Sequence, residues 1–180
     1  MYEQLWVKNR KVTPEELSPS LRHYFDLWCD TMTPYKGTMN MAVRGTGTSM
    51  LLRSTLAYAD NDLPDASVMY TTHRQLWKMM RRLQQLESGN RDEDADEYLY
   101  LSQQLSQVYK YDPLCIDRFG ATTDEGTLNV WEDVVIRRKE EGNFCTLLGL
   151  VDGWSPPQYI ARHFEKHPRF WMVVDLDAGR

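Results

Sequence analysis

The loop Arg44-Gly45-Thr46-Gly47-Thr48-Ser49 is the first place in this chain where residue types and spacing point to chemistry. It lies between an apolar run, Thr38–Val43, and a segment of helical spacing that begins at Ser49. A phosphate-binding loop reads G-x-x-x-x-G-K-[ST] in that context. Its backbone amides cradle phosphate oxygens, its Lys reaches the terminal phosphates, and its hydroxyl binds Mg²⁺. In register, Gly47 and Ser49 match the pattern, whereas Ala42 stands for the first Gly and Thr48 for the Lys. The run Pro113-Leu114-Cys115-Ile116-Asp117-Arg118-Phe119-Gly120 supplies a second half. In such sites an apolar strand ends in an Asp that holds Mg²⁺, and a neighbouring acid orients the attacking water. Asp117 meets the first requirement, but Arg118 stands at the second, and a guanidinium cannot accept a proton. The two segments together outline a degenerate ATP and Mg²⁺ site, with Mg²⁺ at Ser49 and Asp117, in which tight ATP binding is not expected and hydrolysis fails or is very slow. Taken alone, the loop also reads as a Gly-containing strand-to-helix turn that binds no phosphate.

A second group of residues could hold a nucleic acid. Arg74, Lys78 and Arg81 or Arg82 recur at i, i+4 and i+7 or i+8, which puts them on one stripe of a helix. Such a stripe can track a phosphate backbone, and a solvated helix face is the alternative. Acidic residues follow at Glu87 and in 92–96. His163 and His167 have the i, i+4 spacing of metal ligands, but no Cys or well-placed carboxylate completes a site, so they read as a surface pair. The three cysteines, Cys29, Cys115 and Cys145, are widely spaced and form no CxxC, which argues for reduced thiols rather than a disulfide frame or zinc cluster. No G-x-S-x-G or other nucleophile arrangement has supporting context.

These groups must be positioned by a chain of 180 residues, one domain's worth. With 42% hydrophobic and 26% charged residues the composition is that of a globular protein, and a net charge of −5 excludes a polycation that coats nucleic acid. No stretch has the ~20 apolar residues of a membrane helix, and the start MYEQLWVKNRKV has no signal-peptide core, so no membrane partner and a cytoplasmic location are expected. Residues 1–17 read as an arm in which Leu5, Trp6 and Val7 form a small apolar patch. Ser18-Pro19-Ser20 starts a helix whose apolar face is Leu21, Tyr24, Phe25 and Trp28. Met32–Gly37 reads as a turn. Strands are expected at Thr38–Val43, Ser67–Thr71, Pro113–Ile116, Phe144–Val151 and Phe170–Val174. Helices are expected at Ser49–Ala59, His73–Glu87, Tyr98–Tyr109, Thr127–Glu141 and from Ser155 to about His167, with a break at Asn61–Pro64 and an acidic linker at Ser88–Asp96. Strands alternating with helices predict a three-layer α/β domain with a mostly parallel five-stranded sheet, and ligands bind at the carboxyl ends of such strands.

The chain resembles the AAA+ ATPase domain of bacterial and phage helicase loaders, the DnaC/DnaI/IstB group. The resemblance runs over about residues 18–175 and rests on the order of several segments. LRHYFDLW is similar to the helix before the family's first strand, and MNMAVRGTGTSMLLRSTLAYA to its Walker A strand, loop and helix. ASVMYTTHRQLWKMMRR is similar to the second strand and its helix, and DPLCIDRFG to the Walker B segment. VWEDVVIRRKEEGNFCTLLGLV and SPPQYIARHF are similar to the sensor 1 strand with its flanking helices. Three nucleotide-handling positions depart from the family: Thr48 for the Lys, Arg118 for the second Walker B acid, and an apolar run in place of the polar end of sensor 1, with Asp152 the polar residue nearby.

The resemblance implies a P-loop core at residues 18–180 with no separate lid and side-by-side assembly into an oligomer. It makes Arg162 and Arg169 candidate arginine fingers and places single-stranded DNA contacts on the helix with Arg74, Lys78, Arg81 and Arg82. A preserved scaffold with altered catalytic positions implies a protein that docks on a replicative helicase or another AAA+ ATPase in a replication or transposition complex. An active ATPase, in which Arg44 or Arg53 replaces the lysine, and a nucleotide-independent binder of single strands are the alternatives.

Overall fold

The structure, a computed structural model, describes residues 12–32, 39–63, 66–89, 94–142 and 144–178. The apolar patch expected at Leu5–Val7, most of the turn expected at Met32–Gly37, and part of the acidic linker lie outside the described residues. Helix α1 spans Pro19–Thr31. Ser18 stands at its N-cap and Pro19 at its first position, where the missing N–H costs nothing because no helical acceptor faces it. Leu21, Phe25 and Trp28 are buried as their spacing predicts. Trp28 Nε1 donates to Met39 O (3.0 Å), which ties the helix to the chain entering strand β1, Asn40–Arg44.

Helix α2, Thr48–Asp62, follows β1 and buries Leu51, Leu52, Leu56 and Ala59. It is joined to the segment ahead of α1, where Ser54 Oγ donates to Val12 O (3.1 Å) and Val12 and Leu17 are buried. Strand β2 is Met69–Thr72, helix α3 is His73–Ser88 and helix α4 is Ala95–Val108. The Thr72 hydroxyl caps α3 by accepting from Gln75 N (3.3 Å), and Gln75 Oε1 accepts from Thr72 N (3.1 Å). Such a reciprocal pair satisfies donors that a helix start leaves open.

Strand β3 spans Leu114–Phe119. It therefore runs on past Asp117, where the sequence pattern would end it. A register shift lies between Ile116 and Phe119, and Arg118 takes φ 54°, so Asp117 points inward while Arg118 is exposed. The next helix was expected at Thr127–Glu141. It begins earlier, as α5 at Asp124–Val130, passes through a π-helical stretch, Trp131–Ile136, and ends as α6, Arg137–Gly142. The early start comes from Thr123, whose hydroxyl accepts from Gly126 N (3.2 Å). Strand β4 is Thr146–Leu150, helix α7 is Gln158–Lys166, and strand β5 is Trp171–Asp175.

The five strands form one all-parallel sheet in the order β2-β3-β4-β1-β5. Side chains alternate between its faces, as a pleated strand requires. Met41, Val43, Cys115 and Leu147 pack with α1 and α2, whereas Ala42, Leu114, Ile116 and Leu148 pack with α3–α7. The two buried thiols, Cys115 and Cys145, are part of this packing, and all three cysteines are free. Arg138 is fully buried behind the sheet, donating to Val108 O (2.7 Å), Tyr111 O, Cys145 O (2.9 Å) and Thr146 Oγ1 (3.2 Å). Burial lowers its pKa to about 10, and those acceptors satisfy its donors. No described helix is long and apolar enough to cross a membrane.

Candidate functional site

With every strand parallel, the carboxyl ends of β1, β3, β4 and β5 converge on one edge of the sheet. The β1–α2 loop lies there. Gly45 (φ 102°) and Gly47 (φ 98°) are left-handed, a conformation glycine adopts without strain. Both positions are also tight. A Cβ on Gly47 would stand 2.9 Å from Leu21 Cδ1, and one on Gly45 2.8 Å from Asp177 Oδ2. Gly47 caps α2, with its carbonyl accepting from Leu51 N (3.0 Å). Thr48 is buried and folds back on the loop, donating to Gly45 O from its amide (3.2 Å) and its hydroxyl (2.8 Å). The position where the motif has a lysine is thus closed by a methyl and a hydroxyl.

Asp117, at the inward turn of β3, is buried and joins β2, β3 and α2. It accepts from Tyr70 OH, from Ser49 Oγ (3.0 Å) and from Arg118 N (2.8 Å). Burial and donation to Asp117 push the Tyr70 phenol far above its ordinary range. Gly149 on β4 makes room for this carboxylate, since a Cβ there would lie 2.4 Å from Asp117 Oδ1. Ser49 and Asp117, the expected Mg²⁺ pair, are therefore adjacent. They bond to each other, and no group of three metal-ligating side chains exists among the described residues.

Carboxylates from two other strands reach the loop. Asp152, just after β4, accepts from Gly45 N (3.2 Å). Asp177, just after β5, accepts from Thr46 N (2.9 Å) and Thr46 Oγ1 (3.3 Å). Asp175 binds the Arg44 guanidinium (Nη2 2.6 Å, Nε 2.7 Å), which holds its carboxyl below the usual range. Arg53 lies over the Tyr70 ring, 5.6 Å from its centre. Neither arginine therefore faces the loop as a substitute for the lysine. Among the described residues a nucleotide triphosphate does not fit this arrangement: two cradle amides already hold carboxylates, and neither Arg44 nor Arg53 stands in for the lysine. Spacing identified the loop and Asp117, but Asp175, Asp177 and Tyr70 went unnoticed. The Asp-Leu-Asp run after the last strand was the signal for the first two, since that strand's end had to lie beside the loop.

The other predicted residues lie apart from this loop. Arg74, Lys78 and Arg81 are exposed on α3, whereas Arg82 turns to α4 and binds Glu97 through Nε (3.1 Å) and Nη2 (2.6 Å), with Asp94 at 3.8 Å. Arg162 is exposed on α7 and Arg169 in the turn that follows it. The His163 and His167 rings meet at 4.5 Å, tilted by 48°, with no third ligand among the described residues, and burial, then His167 and Lys139, lowers the pKa of His163 to about 4. His73, at the start of α3, is fully buried. Its Nδ1 accepts from Gly120 N (2.9 Å), its ring stacks on Phe119 at 4.7 Å, and burial lowers its pKa to about 4.

No protein-family model matches the sequence, and no curated protein matches it. The fold, by contrast, has clear counterparts. The chain is similar to the AMPPCP-bound DnaA from Aquifex aeolicus, with a TM-score of 0.59 and 15% identity over 96% of this chain and 51% of that one. It is similar to the replication initiator DnaA bound to AMPPCP and single-stranded DNA, with a TM-score of 0.61 and 14% identity over 96% of this chain and 51% of that one. It is also similar to DnaI, with a TM-score of 0.60 and 13% identity over 92% of this chain and 90% of that one. The chain thus spans about half the length of the initiator and nearly all of the DnaI chain. This is the three-layer α/β fold with an all-parallel five-stranded sheet that the sequence resemblance implies, and it is shared with the DnaA and DnaI chains.

Proposed function

We propose that this protein is a degenerate helicase-loader-like AAA+ protein that docks on a partner in a DNA replication or transposition complex without efficient ATP hydrolysis. The partner class is a replicative helicase or another AAA+ ATPase. One observation carries the reading: among the described residues neither expected stand-in for the lysine faces the β1–α2 loop, since Thr48 folds onto Gly45 O, Arg44 is bound by Asp175 and Arg53 covers Tyr70. Phosphoryl transfer depends on positioning and on neutralising the charge of the transferred group. Arg118, exposed beside Asp117, supplies no acceptor for a proton of water. The scaffold is kept while those functions are missing, which favours binding over turnover. Arg162 and Arg169 are free to meet a neighbouring AAA+ subunit, and the core from residue 18 onward is the docking unit. Phosphate release from MgATP, measured with and without single-stranded DNA, should stay at background. Turnover that Asp117→Asn abolishes would overturn the reading. Affinity capture in high salt should return a helicase or AAA+ protein as the stoichiometric partner.

A second reading, nucleotide-independent binding of single-stranded DNA, is favoured by Arg74, Lys78 and Arg81. They stand exposed on one face of α3 and bind no acid among the described residues. Capture that depends on nucleic acid and vanishes in high salt would favour it over docking on a protein.

A further inference from the structure

The loop has not simply lost a lysine. Successive N–H groups in a turn with left-handed glycines form a concave nest that takes an anion, and the start of a long helix adds its dipole. Here the anions come from the chain itself, and from two separate strands. Asp152 reaches Gly45 N from the end of β4, and Asp177 reaches Thr46 N and Oγ1 from beyond β5. Asp177 lies so close to the loop that a Cβ on Gly45 would stand 2.8 Å from its Oδ2, and the left-handed φ of 102° there also favours glycine.

The chain after β5 is folded back to make this contact. Leu176 N donates to Arg44 O (2.9 Å), Asp177 N to Asp175 Oδ1 (3.1 Å), and Ala178 N to Asp175 O (3.3 Å). Arg44, the loop's own cation, grips Asp175 and so anchors this clasp instead of reaching outward. Hydrogen bonds from amides to carboxylates are of the charge-assisted kind.

We propose that Asp152 and Asp177 are built-in anions that occupy the amide nest at Gly45 and Thr46, locking the loop to the ends of β4 and β5 and closing it to phosphate. This deepens the reading above, in which the loop does not serve hydrolysis. A consequence follows: without these carboxylates the nest is a latent site for polyphosphate anions, even with Thr48 in place.

The test uses sodium tripolyphosphate, which carries the anionic chain of a nucleotide without its base or sugar. Thermal shift and titration calorimetry are run on the full chain and on three variants. Asp152→Ala with Asp177→Ala removes the plug. Asp177→Asn removes one charge but keeps an acceptor and the volume, and so guards against loss of folding, which circular dichroism checks. Glu132→Ala with Glu140→Ala removes the same net charge from exposed positions elsewhere. The unaltered chain and the Glu132/Glu140 variant should give no shift. The Asp152/Asp177 variant should gain a few degrees in Tm at millimolar tripolyphosphate, as a ligand that binds only the folded state requires, and Asp177→Asn should lie between.

An equal response from the unaltered chain, or from the Glu132/Glu140 variant, overturns the proposal. Folded Asp152/Asp177 and Asp177→Asn variants that both ignore tripolyphosphate overturn it too, while leaving the missing lysine as the reason hydrolysis fails. ATP turnover by the unaltered chain is read separately and would count against the functional reading without deciding who occupies the nest.

Discussion

Removing charge from the outer face of α3 should change single-strand binding by an amount the structure sets. The sequence stripe contains four cations, Arg74, Lys78, Arg81 and Arg82. The fold leaves three of them to solvent and commits Arg82 to Glu97. Each phosphate neutralised on a single strand contributes a slope of about −0.7 to log K against log salt, so three contacts give about −2 and four about −2.8. Raising salt from about 50 to about 200 mM should then weaken binding ~20-fold for three contacts and ~50-fold for four. Fluorescence anisotropy of a labelled oligothymidine, titrated across that range, measures the slope. Alanine at Arg74, Lys78 or Arg81 should each lower its magnitude by about 0.7, and the triple replacement by Glu should abolish binding. Arg82→Gln should leave the slope alone, because that guanidinium already faces two carboxylates. An unchanged slope in the triple variant, or the loss of a full contact in Arg82→Gln, would refute the assignment.

Three further outcomes follow from the packing. Burial holds His73 at about 4 against an ordinary 6.5, so the unfolded chain takes up its proton first; stability should be full above about pH 6.5 and fall as pH drops towards 4, by up to ~3 kcal/mol. His163, depressed in the same direction but partly exposed, adds less. Tm measured across that range should decline, and His73→Gln should flatten the decline; a curve level from pH 7 to 4 would contradict the buried neutral imidazole. Arg138→Met leaves the carbonyls of Val108, Tyr111 and Cys145 without their donor and should cost ~3–5 kcal/mol in urea denaturation; a loss below ~1 kcal/mol would show that water replaces the guanidinium. Gly47→Ala meets both a left-handed φ and the Leu21 side chain, whereas Gly153→Ala meets a left-handed φ in open space; the first should cost ~1–3 kcal/mol and clearly more than the second, and equal costs would mean that α1 does not press on the loop.

The order of strands and helices was legible because each element buries a regular subset of its residues. Leu21, Phe25 and Trp28 lie on one face of α1, and Leu51, Leu52, Leu56 and Ala59 on one face of α2, as their spacing predicts. Short apolar runs such as 114–116 and 147–148 read as buried parallel strands, and they are. The π-helical stretch at Trp131–Ile136 left no such mark, because its apolar spacing does not differ from that of an ordinary amphipathic helix. The buried Arg138 was likewise hidden: a charged residue on a helix reads as solvated until the backbone carbonyls that satisfy it are brought together.

The site divides along the same line. Local sequence was enough to pick out the Gly45–Ser49 loop, Asp117, and the two substitutions Thr48 and Arg118, since a strand–loop–helix motif is written in adjacent residues. It could not tell that Arg82 would be taken by Glu97, or that Arg44 would be taken by Asp175. Nor could it tell that Asp152 and Asp177 would enter the amide nest, because those contacts join residues more than a hundred positions apart. Only the parallel order β4-β1-β5 sets those strand ends side by side. What a side chain can do depends on which charges stand within a few ångströms of it, and along this chain that neighbourhood is fixed by strand order rather than by spacing.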